Sequence, residues 1–370
     1  MIKIIGVGDI MPGGVLTGID EGYMSQEVLA VLQRGDIRVG TLETAIGNVP
    51  TFSDEKMSRK CDVIYTLDRD LIKLKHLGFD VVSLANNHYF DLGPNGGEHA
   101  IRLLDEMGIL HVGAGKNIEE ASSPVVIKIG GKRVAFVAFC ETEENLIGWC
   151  PVADSNSSGV NPLTEENIRK LIPLLKEEYD IVVVLPHWGK EGQIMPTDRQ
   201  YRLSKIMIES GANMVLGSHT HCVQPIFQTK GKAIVFGMGN FLFPDRLIVP
   251  PRSTYYPETT IDYTSLPVTD RYPYVDKLTF KKWRAKARLG GLVECTIEDN
   301  SVNVRQHVVC LSKDNHVGLI KEKFKYDFQL KLASAVLRGG CYIQFYRVYN
   351  MVNVAKRLLK KLKKVQFVMS

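Results

Sequence analysis

The chain has 370 residues, 45% hydrophobic and 24% charged, which suits one large globular domain or two ordinary ones. Its net charge of +5 is uneven: residues 338–370 hold eight Lys or Arg and no Asp or Glu, leaving 38 basic against 41 acidic residues, net −3, over the rest. A near-neutral body argues against a nucleic-acid partner and leaves one basic appendage.

In chain order, residues 2–7 form an apolar run ending at Gly8-Asp9, read as a buried strand entering a loop. Residues 25–33 read as a helix and 37–42 as a strand that ends at Glu43. A helix over 71–77 stops at Gly78, a left-handed cap, and a third strand over 80–84 delivers Asn86-Asn87-His88. Residues 95–107 read as a helix opened by an Asn95/Glu98 capping box. Residues 124–129 and 133–139 flank Gly130-Gly131 as a hairpin. Residues 164–178 are helical, 181–185 form a β-branched strand leading to Pro186-His187-Trp188, and 198–209 are helical. A strand over 213–216 leads to Gly217-Ser218-His219-Thr220-His221, and 224–228 with 233–236 suggest another hairpin. Residues 245–290, rich in Pro, Tyr and basic side chains, show no clear periodicity and read as an insertion or long loop. Arg246, Arg252 and Arg271 in it are candidates to meet a phosphate or polyanion, against the plainer reading of a solvated loop.

This alternation predicts a layered α/β domain, in which ligands sit beyond the carboxyl ends of strands. Asp9, Glu43, Asn87-His88, His187 and His219/His221 all fall at such ends. Any one of them alone reads as turn chemistry or an ordinary structural side chain. Together, carboxylates, an amide oxygen and three imidazoles make a donor set for borderline divalent metals such as Mn, Fe, Zn or Co. His219-x-His221 would put both rings on one face of extended backbone, whereas a loop could hand one ring to each of two metals.

The segments GDIMPGG at 8–14, TLETAIG at 41–47, ANNHYFDLG at 85–93, LPHWGKE at 185–191, GSHTHCVQPI at 217–226 and FGMGNFLF at 236–243 resemble, in order, the CapA family of poly-γ-glutamate capsule synthesis, a branch of the calcineurin-like metallophosphoesterases. The resemblance implies an α/β sandwich of two packed mixed sheets flanked by helices. It implies one or two divalent metals, with Asp9 and His221 on the first, Glu43 bridging, and Asn87, His187 and His219 on the second. His88 then corresponds to the histidine that binds no metal and protonates the leaving oxygen, and Asp91 to an aspartate that orients it. Gly239 and Asn240 are expected close to the site, with a purely backbone-turn role as the competing reading. Met11 departs from the common Asp-x-His motif and leaves the first metal without one imidazole.

The domain expectation is a CapA-like body over 1–310 with the 245–290 insertion, then a helical extension over 311–370. The activity implied is phosphoester hydrolysis, by attack of a metal-bound hydroxide with His88 as general acid, in capsule, poly-γ-glutamate or related surface-polymer synthesis. The substrate class is a phosphorylated small molecule or an anionic polymer, and no nucleic acid is expected. The alternative is a non-catalytic, metal-binding accessory subunit of a polymer synthesis or export complex.

Seven scattered cysteines without a Cys-x-x-Cys pair point to a reducing compartment rather than a disulfide framework. No apolar run is long enough to span a bilayer, and Asp9 interrupts MIKIIGVGDI too early for a signal peptide. The expected location is cytoplasmic. The apolar stripe Met351, Val354, Ala355, Leu358, Leu359, Leu362 and Val365, with Lys and Arg on the opposite face, makes 351–365 a candidate for peripheral contact with an anionic membrane. A stripe packed against the body is the competing reading.

Overall fold

The computed structural model describes residues 1–48, 63–143, 148, 150–250, 253–255, 262–270, 274–299, 301–320, 327–339 and 342–352. The strands used below are β1 (Ile2–Ile10), β2 (Ile37–Leu42), β3 (Val81–Ser83), β4 (Leu110–Val112), β5 (Val125–Ile129), β6 (Lys132–Cys140), β7 (Ile181–His187), β8 (Met214–Leu216), β9 (Ile226–Thr229), β10 (Lys232–Val235), β11 (Asn240–Leu242), β12 (Arg246–Val249), β13 (Ser253–Tyr255), β14 (Val268–Thr269), β15 (Thr279–Lys281), β16 (Leu289–Glu298), β17 (Ser301–Leu311) and β18 (Val317–Leu319). The helices are α1 (Gln26–Leu32), α2 (Ile72–His76), α3 (Gly93–Met107), α4 (Ile118–Ser122), α5 (Glu165–Glu178), α6 (Asp198–Glu209) and α7 (Asp327–Arg338), followed by a helix over 342–352.

Two mixed sheets form the body. The first runs β18-β17-β16-β1-β2-β3-β4 with β11 also on β1, and the second runs β9-β10-β8-β7-β6-β5. In β7, Ile181, Val183 and Leu185 belong to a core shared with β1 and β2, while Val182 and Val184 face a second core with α5 and α6. That two-sided burial is why this strand is an unbroken apolar run rather than an alternating one. The expected fold of two packed mixed sheets flanked by helices is the one found. The parallel strands β1, β2 and β3 in one sheet and β6, β7 and β8 in the other point their carboxyl ends to the same region.

Local chemistry explains most boundaries. The side chains of Ser25, Thr164 and Thr197 accept backbone N–H groups at the starts of α1, α5 and α6, and Thr197 with Gln200 forms a full capping box. The box expected from Asn95 and Glu98 is absent. Helix α3 starts earlier, at Gly93, because Pro94 with its fixed φ suits the first turn, and both residues then lie inside the helix. β1 is also longer than its apolar run suggests, so Asp9 lies within the strand rather than past it.

The stretch expected as a long loop folds instead as a small sheet, β13-β12-β15-β14, in which Arg246 and Lys281 are direct cross-strand partners. Arg252 and Arg271 lie outside the described residues. β18 joins the first sheet, so its strands extend beyond the boundary expected at residue 310. Past it, Ala333, Leu337, Tyr342 and Tyr346 pack into the second core, and the Tyr342 hydroxyl donates to the Pro196 carbonyl at 2.7 Å. Of the apolar stripe over 351–365, Met351 is exposed and the residues from 353 onward lie outside the described residues. Among the described residues no helix is long and apolar enough to cross a membrane.

One close approach sets the position of Asp9. Its N–H donates to the Gly239 carbonyl at 2.9 Å, and a Cβ on Gly8 would lie 1.8 Å from that same oxygen. The obstacle is backbone, which no rotamer change relieves. Gly8→Ala is therefore expected to destabilise the fold by about 3 kcal/mol or more, read as a shifted urea midpoint. A midpoint equal to that of the wild type would contradict this packing.

Candidate metal centre

The six expected ligands come together. Asp9 is on β1, Glu43 follows β2, Asn87 follows β3, His187 ends β7, and His219 and His221 follow β8. Each is less than a tenth exposed. Their donor atoms fall into two groups that share Glu43: Glu43 with His187 and His219, and Asp9 with Glu43 and His221. His187 Nε2 lies 3.4 Å from Glu43 Oε1 and 2.9 Å from Asn87 Oδ1. His221 Nδ1 lies 3.4 Å from Asp9 Oδ2 and 3.8 Å from Glu43 Oε2.

The loop after β8 separates the two histidines. His219 and His221 have φ of 85° and 49°, a left-handed backbone that L-residues rarely adopt. The His219 N–H is held by Asp9 Oδ1 at 3.2 Å, which ties the strained turn to the first sheet. His219 therefore packs against His187, with ring centroids 4.8 Å apart, and His221 packs against Trp283 at the same separation. Of the two arrangements open to His-x-His, the loop form is the one present.

The electrostatics are those of a site built around positive charge. Burial pushes the Glu43 carboxyl up to about 8, and the neighbouring Asp9 charge adds to the rise. For Asp9, burial alone would raise the pKa, but the hydrogen bond and charge of His221 and the charge of His187 outweigh it and the net shift is downward. His219 is lowered to about 4 by burial and then by His187, which leaves a neutral imidazole with a lone pair to donate. His221 is raised to about 9: burial opposes this, but Glu43 and Asp9 together prevail. Both Glu43 oxygens are buried without a hydrogen-bond partner among the described residues. Carboxylate oxygens left in that state, surrounded by imidazoles and an amide, fit one or two divalent cations.

Around this set, Ser218 Oγ lies 2.8 Å from His187 Nδ1 and donates to the Pro186 carbonyl at 3.5 Å. That arrangement assigns the Nδ1 proton to the side facing Ser218 and turns Nε2 toward Glu43 and Asn87. Asn86 holds the loop in place, since its Nδ2 donates to the Leu42 carbonyl at 2.8 Å and its Oδ1 accepts the His88 N–H at 3.0 Å. His88 belongs to neither ligand group. Its Nδ1 donates to Asp91 Oδ2 at 2.7 Å, and the same oxygen accepts the Ile64 N–H at 2.7 Å. Met11 is fully buried beside Ile64 and Phe243 and offers no nitrogen or oxygen. Trp188 stacks on Phe236, donates to its carbonyl at 2.8 Å and packs in the second core. His99, His111 and His307 instead face Asp68, Asp105 and Glu294, away from the centre.

Of three further neighbours, Arg246 was a candidate from the sequence as an anion-binding side chain, whereas Trp283 and Lys281 had no functional signal there. Trp283 lies beneath His221, and the Arg246 guanidinium and Lys281 ammonium lie 4.8 and 4.4 Å from its ring centroid. They come from the small sheet over 245–290, whose pairing no local pattern announced.

The class to which the chain belongs is the metallophosphoesterase-like superfamily, by way of the family its sequence matches. Within it, the chain belongs to the family described as "Bacterial capsule synthesis protein PGA_cap", whose model matches residues 3–245. It is similar to the "Capsule biosynthesis protein CapA" of Bacillus anthracis, with 31% identity over 246 residues, 64% of this chain and 58% of that one. The "PGA biosynthesis protein CapA" of Bacillus subtilis (strain 168) is 29% identical over 243 residues, 64% of this chain and 62% of that protein. A Mycobacterium tuberculosis protein named "Probable polyglutamine synthesis accessory protein" is 28% identical over 238 residues, 62% of this chain and 61% of that one. The chain spans less than two thirds of the length of each of these relatives.

Because Glu43 near 8 and His221 near 9 hold protons at neutral pH, a cation entering the site must displace them. Binding of Mn²⁺ or Zn²⁺ is expected to release protons at pH 7 and to tighten as pH rises toward 9. Titration calorimetry in buffers of different ionisation enthalpy reads this directly, and a buffer-independent heat would contradict it.

Proposed function

We propose that the protein is a metal-dependent phosphoesterase-type hydrolase acting on a phosphorylated small molecule or anionic polymer in capsule, poly-γ-glutamate or related surface-polymer synthesis. The observation that carries this reading is the buried convergence of Asp9, Glu43, Asn87, His187, His219 and His221. Asp9 and His221 would hold one divalent cation and Asn87, His187 and His219 a second, with Glu43 within reach of both. Bound divalent cations would supply Lewis acidity, a more acidic water and positive charge against the phosphoryl oxygens.

The chain's own residues do the rest. Asp91 accepts the His88 Nδ1 proton and favours the charged ring, so His88 is suited to protonate a departing oxygen from Nε2. Asp91 is itself held by the Ile64 N–H, which limits the freedom of the pair. Asn86 anchors the loop that carries Asn87 and His88 to the end of β2. Arg246 and Lys281, beyond Trp283, give this side of the centre a positive potential suited to an anion. For Lys281, burial and the adjacent Arg246 lower the pKa to about 7, so that part of this charge is lost above neutral pH.

A second reading has its own support. The M. tuberculosis relative is named as an accessory protein, and Met11 withholds a ligand from the Asp9 group. On that reading the centre is structural, in a subunit of a polymer-synthesis complex.

His88→Ala separates the two. The hydrolase reading expects it to keep the wild-type metal content and to lose about 10²–10⁴-fold in turnover. Asp91→Asn should lose less and shift the pH profile. Metal-loaded wild type that turned over nothing across a panel of phosphomonoesters and phosphodiesters would leave the accessory reading standing.

A further inference from the structure

We propose that Asn240 is a metal ligand, its side-chain oxygen completing the Asp9–Glu43–His221 group on the side where Met11 offers no donor. This rests on the metal-centre reading above and adds a residue to it. Asn240 opens β11 and is the register partner of Asp9 on β1. The approach is set by Gly239, whose φ of 65° and whose 2.5 Å spacing from the Leu289 carbonyl to a would-be Cβ leave no room for another side chain.

The amide is oriented by its own hydrogen bond. Asn240 Nδ2 donates to the Ala287 carbonyl at 2.8 Å, so Oδ1 is the atom turned toward the centre. Oδ1 lies 2.7 Å from His221 Nδ1. That same nitrogen is the one 3.4 Å from Asp9 Oδ2 and 3.8 Å from Glu43 Oε2. Three oxygens thus gather on one imidazole nitrogen. With metal–ligand bonds of about 2.1 Å, neighbouring ligands of one ion stand about 3.0–3.4 Å apart, close to these spacings.

The other half of the centre has the same construction. There Asn87 Oδ1 lies 2.9 Å from His187 Nε2, which lies 3.4 Å from Glu43 Oε1. Each half therefore pairs an asparagine oxygen with an imidazole nitrogen that also lies near one of the two Glu43 oxygens, the first half adding Asp9 and the second His219. An amide oxygen is a hard, neutral donor, so it restores a ligand without adding charge. The buried Met11 thioether, packed with Ile64 and Phe243, does not suit these cations.

The competing role is a hydrogen bond that only orients the His221 ring, and one substitution distinguishes the two. Asn240→Cys, loaded with Co²⁺, is expected to show a thiolate-to-cobalt charge-transfer absorption that the wild type and Asn240→Ala lack. The wild-type control is needed because Cys222 adjoins His221. In parallel, Asn240→Ala should weaken cation binding at one of the two sites by about 10-fold or more, while the other site keeps its wild-type affinity; the apo-protein melting temperature, read alongside, falls because the Ala287 carbonyl loses its donor. These titrations decide the matter if the cysteine variant fails to fold. Two cobalt ions bound without the new band, or Asn240→Ala with wild-type stoichiometry and affinity, would overturn the assignment alone. A wild type that takes up no cation would overturn the metal-centre reading and this assignment with it.

Discussion

Two carboxylates, Asp9 and Glu43, are buried together at the meeting of two sheets, and the rest of the centre answers that constraint. Isolated buried negative charge is costly, and two such groups side by side are worse. The protein surrounds them with His187, His219 and His221, and the opposed shifts, Glu43 upward and Asp9 downward, record the conflict. A bound cation would let both carboxylates carry their charge. The same constraint explains the strained turn at His219 and His221: two left-handed residues are tolerated where the His219 N–H has Asp9 as its acceptor.

The sandwich places this conflict where both sheets can contribute. β1, β2 and β3 supply Asp9, Glu43 and Asn87 from one side, and β7 and β8 supply the three imidazoles from the other. Neither sheet alone holds a complete group, since each of the two groups joins carboxylates of the first sheet to histidines of the second. Docking of the sheets through their shared core is therefore what assembles the centre.

Much of this was legible in the sequence because buried parallel strands write a strong local signal. An apolar run that halts at a polar side chain marks both a strand and its functional end, as at Glu43, Asn87 and His187. What stayed hidden was non-local. Ala287 orients Asn240 across 47 positions, and Trp283 meets His221 from just past the end of β15, in a sheet whose strands are two to four residues long. The 245–290 segment lacked periodicity because such short strands leave little room for a pattern, and its two cations are stabilised by aromatic faces rather than by alternation. Asn95 and Glu98 misled for the opposite reason: a valid local motif was overridden by Pro94.

The two close-packed glycines, Gly8 and Gly239, have a consequence for how this protein can be divided. The family match ends at residue 245, and every expected ligand lies before it. Yet groups that pack around the centre come from later: the Leu289 carbonyl against Gly239, the Ala287 carbonyl on Asn240 and the Trp283 ring on His221. Donors and scaffold are written in separate halves of the gene product. A fragment ending at the matched boundary would therefore keep every expected ligand and lose the Leu289, Ala287 and Trp283 contacts around them.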